Sequence, residues 1–132
     1  MRVADLQGEM LDFWVAKACQ LTDSSIVEVK VDGDVARILL SAGHRGIGNI
    51  WFTFSPSTRW DYGGPIIDRE NIGVCKNAEE AGGWCAAPGC LTTDEIIAGM
   101  QYGQTPLIAA MRCFVASKLG EEVEDTGNAT RP

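Results

Sequence analysis

The chain has 132 residues, of which 45% are hydrophobic and 22% charged, the size and composition of one globular domain. Eleven Lys and Arg residues against eighteen Asp and Glu residues give a net charge of -7. Because binding to phosphate backbones needs a basic face, we expect no direct nucleic-acid binding. Acidic residues interrupt the start of the chain, where a signal peptide would be apolar, and no apolar run reaches the length of a membrane span. We therefore expect a cytosolic protein without membrane association, whose five cysteines are reduced thiols.

The first predicted element is a helix over residues 9–20, where apolar residues recur at the spacing of one helix face. The residues on this face are Met10, Leu11, Trp14, Val15 and Ala18. Phe13 lies beside the apolar face. It is expected either at the edge of the core or in contact with a partner.

Three strands are predicted to follow this helix. Residues 26–31 alternate and are rich in β-branched side chains, and the Asp32-Gly33 pair is a strong hairpin signal. Residues 35–40 then return as an antiparallel strand. A third strand is predicted over residues 50–54, after a glycine-rich connection over residues 42–48.

Residues 54–70 form the most unusual stretch, with hydroxyls, two prolines, a Gly-Gly pair and three aromatic residues. This mixture fits no single helix or strand, so we expect an ordered connection, of the kind that often carries function. Ser57 or Thr58 is expected to cap a short turn. Pro65 is expected to begin a short helix over residues 66–71.

The second half of the chain predicts further strands and one long helix. A strand is expected to begin at Cys75 and another to cover residues 84–87, while residues 92–95 have the form of a capping box before one or two helical turns. The clearest element is a final helix with Thr105 as N-cap, Pro106 as first residue and Gly120 as its stop.

These elements together predict an α+β fold. We expect an antiparallel sheet of about four to five strands, with long N-terminal and C-terminal helices packed on it and a short helical turn after the third strand. The pattern leaves open whether the two helices share one face of the sheet. A single domain is expected over residues 1–120, followed by an acidic and polar tail over residues 121–132 that frays.

Three blocks of the sequence resemble one known family. Residues 11–18 are Leu-Asp-Phe-Trp-Val-Ala-Lys-Ala, and residues 54–67 are Phe-Ser-Pro-Ser-Thr-x-Trp-x-x-Gly-Gly-Pro-Ile-Ile. Residues 103–120 are Gly-x-Thr-Pro-Leu-Ile-Ala-Ala-Met-Arg-x-Phe-Val-Ala-Ser-Lys-x-Gly. In this order they resemble the NinX-like family of small proteins encoded by tailed phages and prophages. The resemblance implies a phage accessory protein in the cytoplasm of a bacterial host, and it implies no particular reaction.

A catalytic triad of Ser57, His44 and Asp61 finds no support in the spacing of these residues. His44 is the single histidine, and an exposed loop position is the expectation for it. We therefore assign no catalytic residues and expect a non-enzymatic protein.

A zinc site assembled from Cys75, Cys85, Cys90 and His44 matches no spacing typical of zinc ligands. The sequence therefore predicts neither a metal nor a cofactor.

Arg112 is the charge that stands out, because it lies in an otherwise apolar helix. In one interpretation its guanidinium reaches solvent or pairs with Asp68 or Glu70. In the other it faces a pocket beside residues 54–70.

The second interpretation predicts a binding site for an anionic ligand with a flat base. It combines the guanidinium, two hydroxyls, the N–H groups near a Gly-Gly pair and an indole ring. The residues are Ser57, Thr58, Trp60, Gly63, Gly64 and Arg112. For Trp60 the alternative is a plug in the small core.

Two functions follow from these observations. The first is a non-enzymatic accessory protein that binds a host or phage macromolecule, in particular a protein. The alternative is a binder of a small anionic ligand, such as a nucleotide-derived signal, acting in counter-defence. Exposed edge strands and Phe13 also make a homodimer a hypothesis.

Overall fold

The computed structural model describes residues 1–41, 49–77, 83–89 and 100–124. Its helices and strands are, in chain order, a 3-10 helix (Val3–Asp5), α1 (Gly8–Gln20), β1 (Ile26–Asp32), β2 (Val35–Leu40), β3 (Ile50–Phe54), α2 (Trp60–Arg69), β4 (Ile72–Asn77), β5 (Gly83–Pro88), β6 (Gln101–Gly103) and α3 (Pro106–Leu119). The predicted α+β class with antiparallel strands is confirmed. The segments predicted as a glycine-rich connection over residues 42–48 and as helical turns after residues 92–95 lie outside the described residues.

The strands form two sheets rather than the predicted single one. In the described part of the chain, β1-β2-β3 and β4-β5-β6 are separate three-stranded antiparallel sheets. The physical reason is α2, which separates β3 from β4 by ten helical residues and lets β4 pair with β5 in a local hairpin. β6 was missed because it has three residues, too few to show an alternating pattern.

Each sheet has its own covering helix. α1 packs on β1 and β2, α3 packs on β4, β5 and β6, and the two helices pack on one another. The prediction that both long helices lie on one sheet is therefore wrong. The core lies along the contact of these two helix-and-sheet layers, and it includes Leu11, Val15, Met111 and Phe114.

The first hairpin has the predicted turn. Asp32 pairs with Val35, and Gly33 has a φ of 68°, a conformation that favours glycine. β2 then pairs with β3 in a register that places Ala36 opposite Phe54.

α1 begins one residue earlier than predicted and is buried without a break from Leu11 to Ala16. Such continuous burial arises because the helix contacts the first sheet on one side and α3 on the other. Phe13 is 2% exposed and meets the Trp14 ring edge-on. The core interpretation of Phe13 is confirmed, and the partner-contact interpretation is wrong.

The helix within residues 54–70 is longer than predicted. α2 begins at Trp60, six residues before the predicted start, and the predicted short turn is a helix of ten residues. Before the helix the chain makes a turn, in which the N–H groups of Thr58 and Arg59 donate to the Ser55 carbonyl at 3.2 Å and 2.9 Å. The prediction failed because Pro65 was assigned to the first helical turn, whereas it lies inside α2.

α3 has the predicted bounds and cap. The Thr105 hydroxyl accepts a hydrogen bond from the Ile108 N–H at 3.1 Å, and Pro106 is the first helical residue. Gly120 follows the helix with a φ of 91°. None of the helices in the described ranges has the length and apolar character needed to cross a membrane.

The two ends of the described chain meet. The Met1 amino group donates to the Val123 carbonyl at 2.8 Å, and the Val123 N–H donates to the Met1 carbonyl at 2.9 Å. The Val3 N–H donates to the Glu121 carbonyl at 2.8 Å. Residues 125–132 of the predicted tail lie outside the described residues, so the division at residue 120 stays a prediction.

Candidate functional site

A groove with a volume of about 260 Å³ lies where the start of α2 meets the start of α3. One wall is the turn before α2 and the other is the first turn of α3. We call it the Trp60 groove; its lining residues are Ser57, Thr58, Trp60, Thr105, Pro106, Leu107 and Ile108. The concave surface beside residues 54–70 therefore includes three of the six residues predicted as a site.

The α3 wall of the groove is largely apolar. Pro106 has no N–H, and the Ile108 N–H is taken by the Thr105 hydroxyl. The Ala109 N–H donates to the Thr105 carbonyl at 3.1 Å. With these donors satisfied within the helix, the wall presents the hydrocarbon side chains of Pro106, Leu107 and Ile108.

Trp60 is 57% exposed, so the prediction that it plugs the core is wrong. It is the first residue of α2, where its side chain lies beside the groove instead of under the sheet. The exposed indole adjoins the apolar wall of the groove, and contiguous exposed apolar surface, unlike a single exposed side chain, is typical of interaction sites.

The backbone of Ser57 is hydrogen-bonded to a side chain of α1. Its N–H donates to the Asp12 Oδ1 at 2.8 Å, and both residues are buried. The Ser57 hydroxyl has no hydrogen-bond partner within the described ranges. The hydrogen bond joins α1 to the turn that forms one wall of the groove.

Asp12 is buried in α1, between Leu11 and Phe13, although its side chain is an acid. Burial raises its pKa from 3.8 to about 6, although the N–H of Ser57 acts in the opposite direction. The apolar face predicted for this helix does not include Asp12, so its buried role was missed. The available signal was an acid inside an apolar run.

Gly63 and Gly64 are both helical residues of α2, and neither has a positive φ. A Cβ on Gly63 would lie 2.5 Å from the Pro56 carbonyl oxygen and 2.6 Å from Leu107 Cδ2. Gly63 therefore allows α2 to approach both walls closely. Its N–H donates to the Arg59 carbonyl at 2.9 Å and is thus not directed at a ligand.

Arg112 lies apart from the Trp60 groove. Its Nε donates to the Leu6 carbonyl at 2.8 Å, and its Nη1 donates to the Tyr102 carbonyl at 2.7 Å. Burial lowers the pKa of this guanidinium, and Asp5 partly offsets that effect. The structure thus brings Ser57, Thr58 and Trp60 together without Arg112.

The predicted ion pair of Arg112 with Asp68 or Glu70 is wrong, because the guanidinium bonds two backbone carbonyls. Glu70 pairs instead with Arg69 at 3.0 Å and with Lys118 at 2.9 Å. Glu70 thereby connects the end of α2 to the end of α3.

Of the residues considered for catalysis or zinc, the described ranges bring together only Cys75 and Cys85, which are register partners in the second sheet. Asp61 accepts hydrogen bonds from Arg59 at 3.0 Å and 2.8 Å and is exposed, whereas Ser57 is buried. His44 and Cys90, which these hypotheses also require, lie outside the described residues. No group of three or more potential ligand side chains occurs in the described ranges.

Comparison with known proteins identifies a family. The family model described as "Bacteriophage P22, NinX" matches residues 2–118. This range contains both walls of the Trp60 groove and all elements except the last residue of α3. A search of curated proteins found no match.

The buried Asp12 predicts a pH dependence of stability. Its folded-state pKa of about 6 exceeds the ordinary 3.8, so the folded protein binds more protons between these values. Stability from this group is therefore greatest below the lower pKa, and it falls as pH rises through the window, by at most about 3 kcal/mol. Asp12→Asn should remove this component while its amide oxygen still accepts from Ser57. Urea unfolding of both proteins from acid to neutral pH measures it.

The control for that experiment is Asp12→Ala, which leaves the buried Ser57 N–H without its acceptor. Relative to Asp12→Asn, it should lower the free energy of unfolding by roughly 1–3 kcal/mol at every pH. An identical pH dependence in wild type and Asp12→Asn would refute the assignment.

Adjacent glycines provide a second test. Gly63→Ala should destabilise the protein by roughly 1–3 kcal/mol, because the new methyl overlaps the Pro56 carbonyl and Leu107. At Gly64 the nearest atom to a new Cβ is Trp60 Cε3, at an ordinary 3.9 Å. Gly64→Ala should therefore gain up to about 1 kcal/mol of helix propensity. Chemical unfolding of both variants measures the difference, and equal effects would contradict the close packing.

Arg112 provides a third test. Arg112→Ala should destabilise the fold by roughly 1–3 kcal/mol, since the Leu6 and Tyr102 carbonyls lose their donors. Arg112→Lys should recover only part of this loss, because one ammonium replaces a forked guanidinium. The matched control is Arg59→Ala, which removes only an exposed ion pair with Asp61 and should leave the unfolding midpoint nearly unchanged. A similar midpoint for both alanine variants would count against the bridging role.

Proposed function

Because this chain belongs to the bacteriophage P22 NinX family and is therefore a phage accessory protein, we propose that it binds a partner protein through the Trp60 groove. The proposed place of action is the cytoplasm of the bacterial host. The observation that carries the proposal is the Trp60 ring, 57% exposed beside a groove with an apolar wall.

The chemistry of the groove suits an uncharged side chain. Its lining consists of hydrocarbon groups on α3, the indole of Trp60, and the hydroxyl residues Ser57, Thr58 and Thr105. No ionisable side chain is among the described residues that line the groove. Tryptophan is enriched among the residues that contribute most to protein–protein affinity, because it buries a large area with few rotatable bonds.

The size of the groove also favours a side chain of a partner over a free ligand. Its volume of about 260 Å³ is below the range of roughly 300–1,000 Å³ that is typical of pockets for small molecules. One or two aliphatic side chains fill such a space. The net charge of -7 further favours a partner segment with Lys or Arg next to the apolar anchor.

The alternative of a nucleotide-derived ligand is less well supported. It required a cation beside the hydroxyls, and the guanidinium of Arg112 donates to two carbonyls away from the groove. A phosphate in the groove would have neither this cation nor the N–H of Gly63. We therefore place the partner protein first and keep the small ligand as an outcome of the test.

Site-specific photo-crosslinking during phage infection tests the proposal. A benzoylphenylalanine at position 58, on the groove, should form an adduct with one defined partner protein. The same group at position 21, where Leu21 is 61% exposed away from the groove lining, is the matched control and should not. Trp60→Ala should eliminate the adduct at position 58 with an unchanged melting temperature. Adducts that are equal at both positions, or insensitive to Trp60→Ala, would reject the groove.

The crosslinked segment of the partner then allows a quantitative test. A synthetic peptide of that segment should lose about 30-fold or more in affinity for Trp60→Ala, measured by titration calorimetry. Thermal-shift measurements with mononucleotides and cyclic dinucleotides form the opposing arm. A nucleotide-dependent shift that Trp60→Ala abolishes would favour the small-ligand alternative.

A further inference from the structure

Two cysteines face one another across the second sheet. Cys75 of β4 and Cys85 of β5 are direct register partners, and their Sγ atoms are 3.3 Å apart. Residues paired in this way have Cα atoms about 4.5–5.5 Å apart, within the range that a disulfide spans. The two sulfurs can therefore be joined by side-chain rotation, without movement of the strands.

The pair is accessible from solvent. Side chains alternate along each strand, and Val74 and Ala86 contribute to the core between the helices. Cys75 and Cys85 therefore lie on the opposite face of the sheet, where Cys75 is exposed and Cys85 is partly exposed.

The remaining cysteines of the described ranges are shielded. Cys19 is 7% exposed and Cys113 is 0% exposed, and burial raises the pKa of both thiols. Since thiolate character and access together control cysteine oxidation, these two are poor substrates for an oxidant in solution. The geometry thus separates one reactive pair from two inert thiols.

We propose that Cys75 and Cys85 are an oxidation site that forms a reversible cross-strand disulfide on exposure to hydrogen peroxide. In a reducing cytosol the dithiol is the resting form. The disulfide would link β4 directly to β5 on the exposed face of the second sheet.

The first step is carried by Cys75, the more exposed thiol. Its thiolate attacks one oxygen of the peroxide, so that an S–O bond forms, the O–O bond breaks and the other oxygen leaves as water after protonation. The product is a sulfenic acid on Cys75.

Cys85 completes the reaction. Its sulfur attacks the sulfur of Cys75, the S–S bond forms and the S–O bond breaks. The proton of Cys85 passes to the departing hydroxide, which leaves as a second water. The two thiols have then lost two electrons, and the peroxide has gained them. Burial and the adjacent Cys75 raise the pKa of Cys85 to about 11, which agrees with its assignment as the second thiol.

Differential alkylation with peptide mapping of the full chain tests this proposal. Brief treatment with hydrogen peroxide should produce one linked peptide pair containing Cys75 and Cys85, and dithiothreitol should restore both thiols. Cys90→Ser is the matched control, because Cys90 is the next cysteine along the chain. It should leave the yield of the linked pair unchanged.

Single variants separate the two roles. In Cys85→Ser the oxidation should stop at a sulfenic acid on Cys75, which dimedone traps. In Cys75→Ser the linked peptide pair should be absent, and most of the dimedone-trapped sulfenic acid should disappear. Oxidised wild type should melt several degrees above the reduced protein, a shift that both serine variants lack. Circular dichroism confirms that the variants fold. A disulfide to Cys90, a crosslinked dimer, or sulfinic acid forming equally fast in wild type and Cys85→Ser would overturn the proposal.

Discussion

The hydrogen bond from the Ser57 N–H to the Asp12 carboxylate is the constraint on which the candidate site depends. It is a buried contact between residues 45 positions apart, and it fixes the turn before α2 against α1. The arrangement has a cost, because a buried carboxylate resists ionisation and its pKa rises to about 6. The hydrogen bond holds the turn against α1, and α2 begins at Trp60 directly after this turn.

Around this constraint the molecule is built as two helix-and-sheet layers that meet through α1 and α3. The packing of α2 and of β6 against α3 needs close approach, and two glycines provide it. Gly63 leaves room for the Pro56 carbonyl and Leu107, and Gly103 leaves room for the backbone of Ala109. The Trp60 groove lies at the first of these close contacts, so its shape depends on residues that would not themselves touch a partner.

The site and the cysteine pair use different parts of this framework. The Trp60 groove combines an apolar wall with an exposed ring, which is the chemistry of an anchor for a protein segment. Cys75 and Cys85 depend on strand register alone, because direct pairing brings their sulfurs together. Membership of a phage family supplies the biological setting for both, and neither proposal takes a residue assignment from it.

The sequence by itself determined what depends on neighbours along the chain. The turn at Gly33, the cap at Thr105 and the stop at Gly120 were predicted because φ preferences and caps act over a few residues. Three blocks were likewise sufficient to identify the family. Tertiary structure alone decided the split into two sheets, the exposure of Trp60 and the carbonyl partners of Arg112. These features depend on which distant elements come into contact. A periodic pattern predicts whether a side chain is buried or exposed, but it does not predict which residue that side chain contacts.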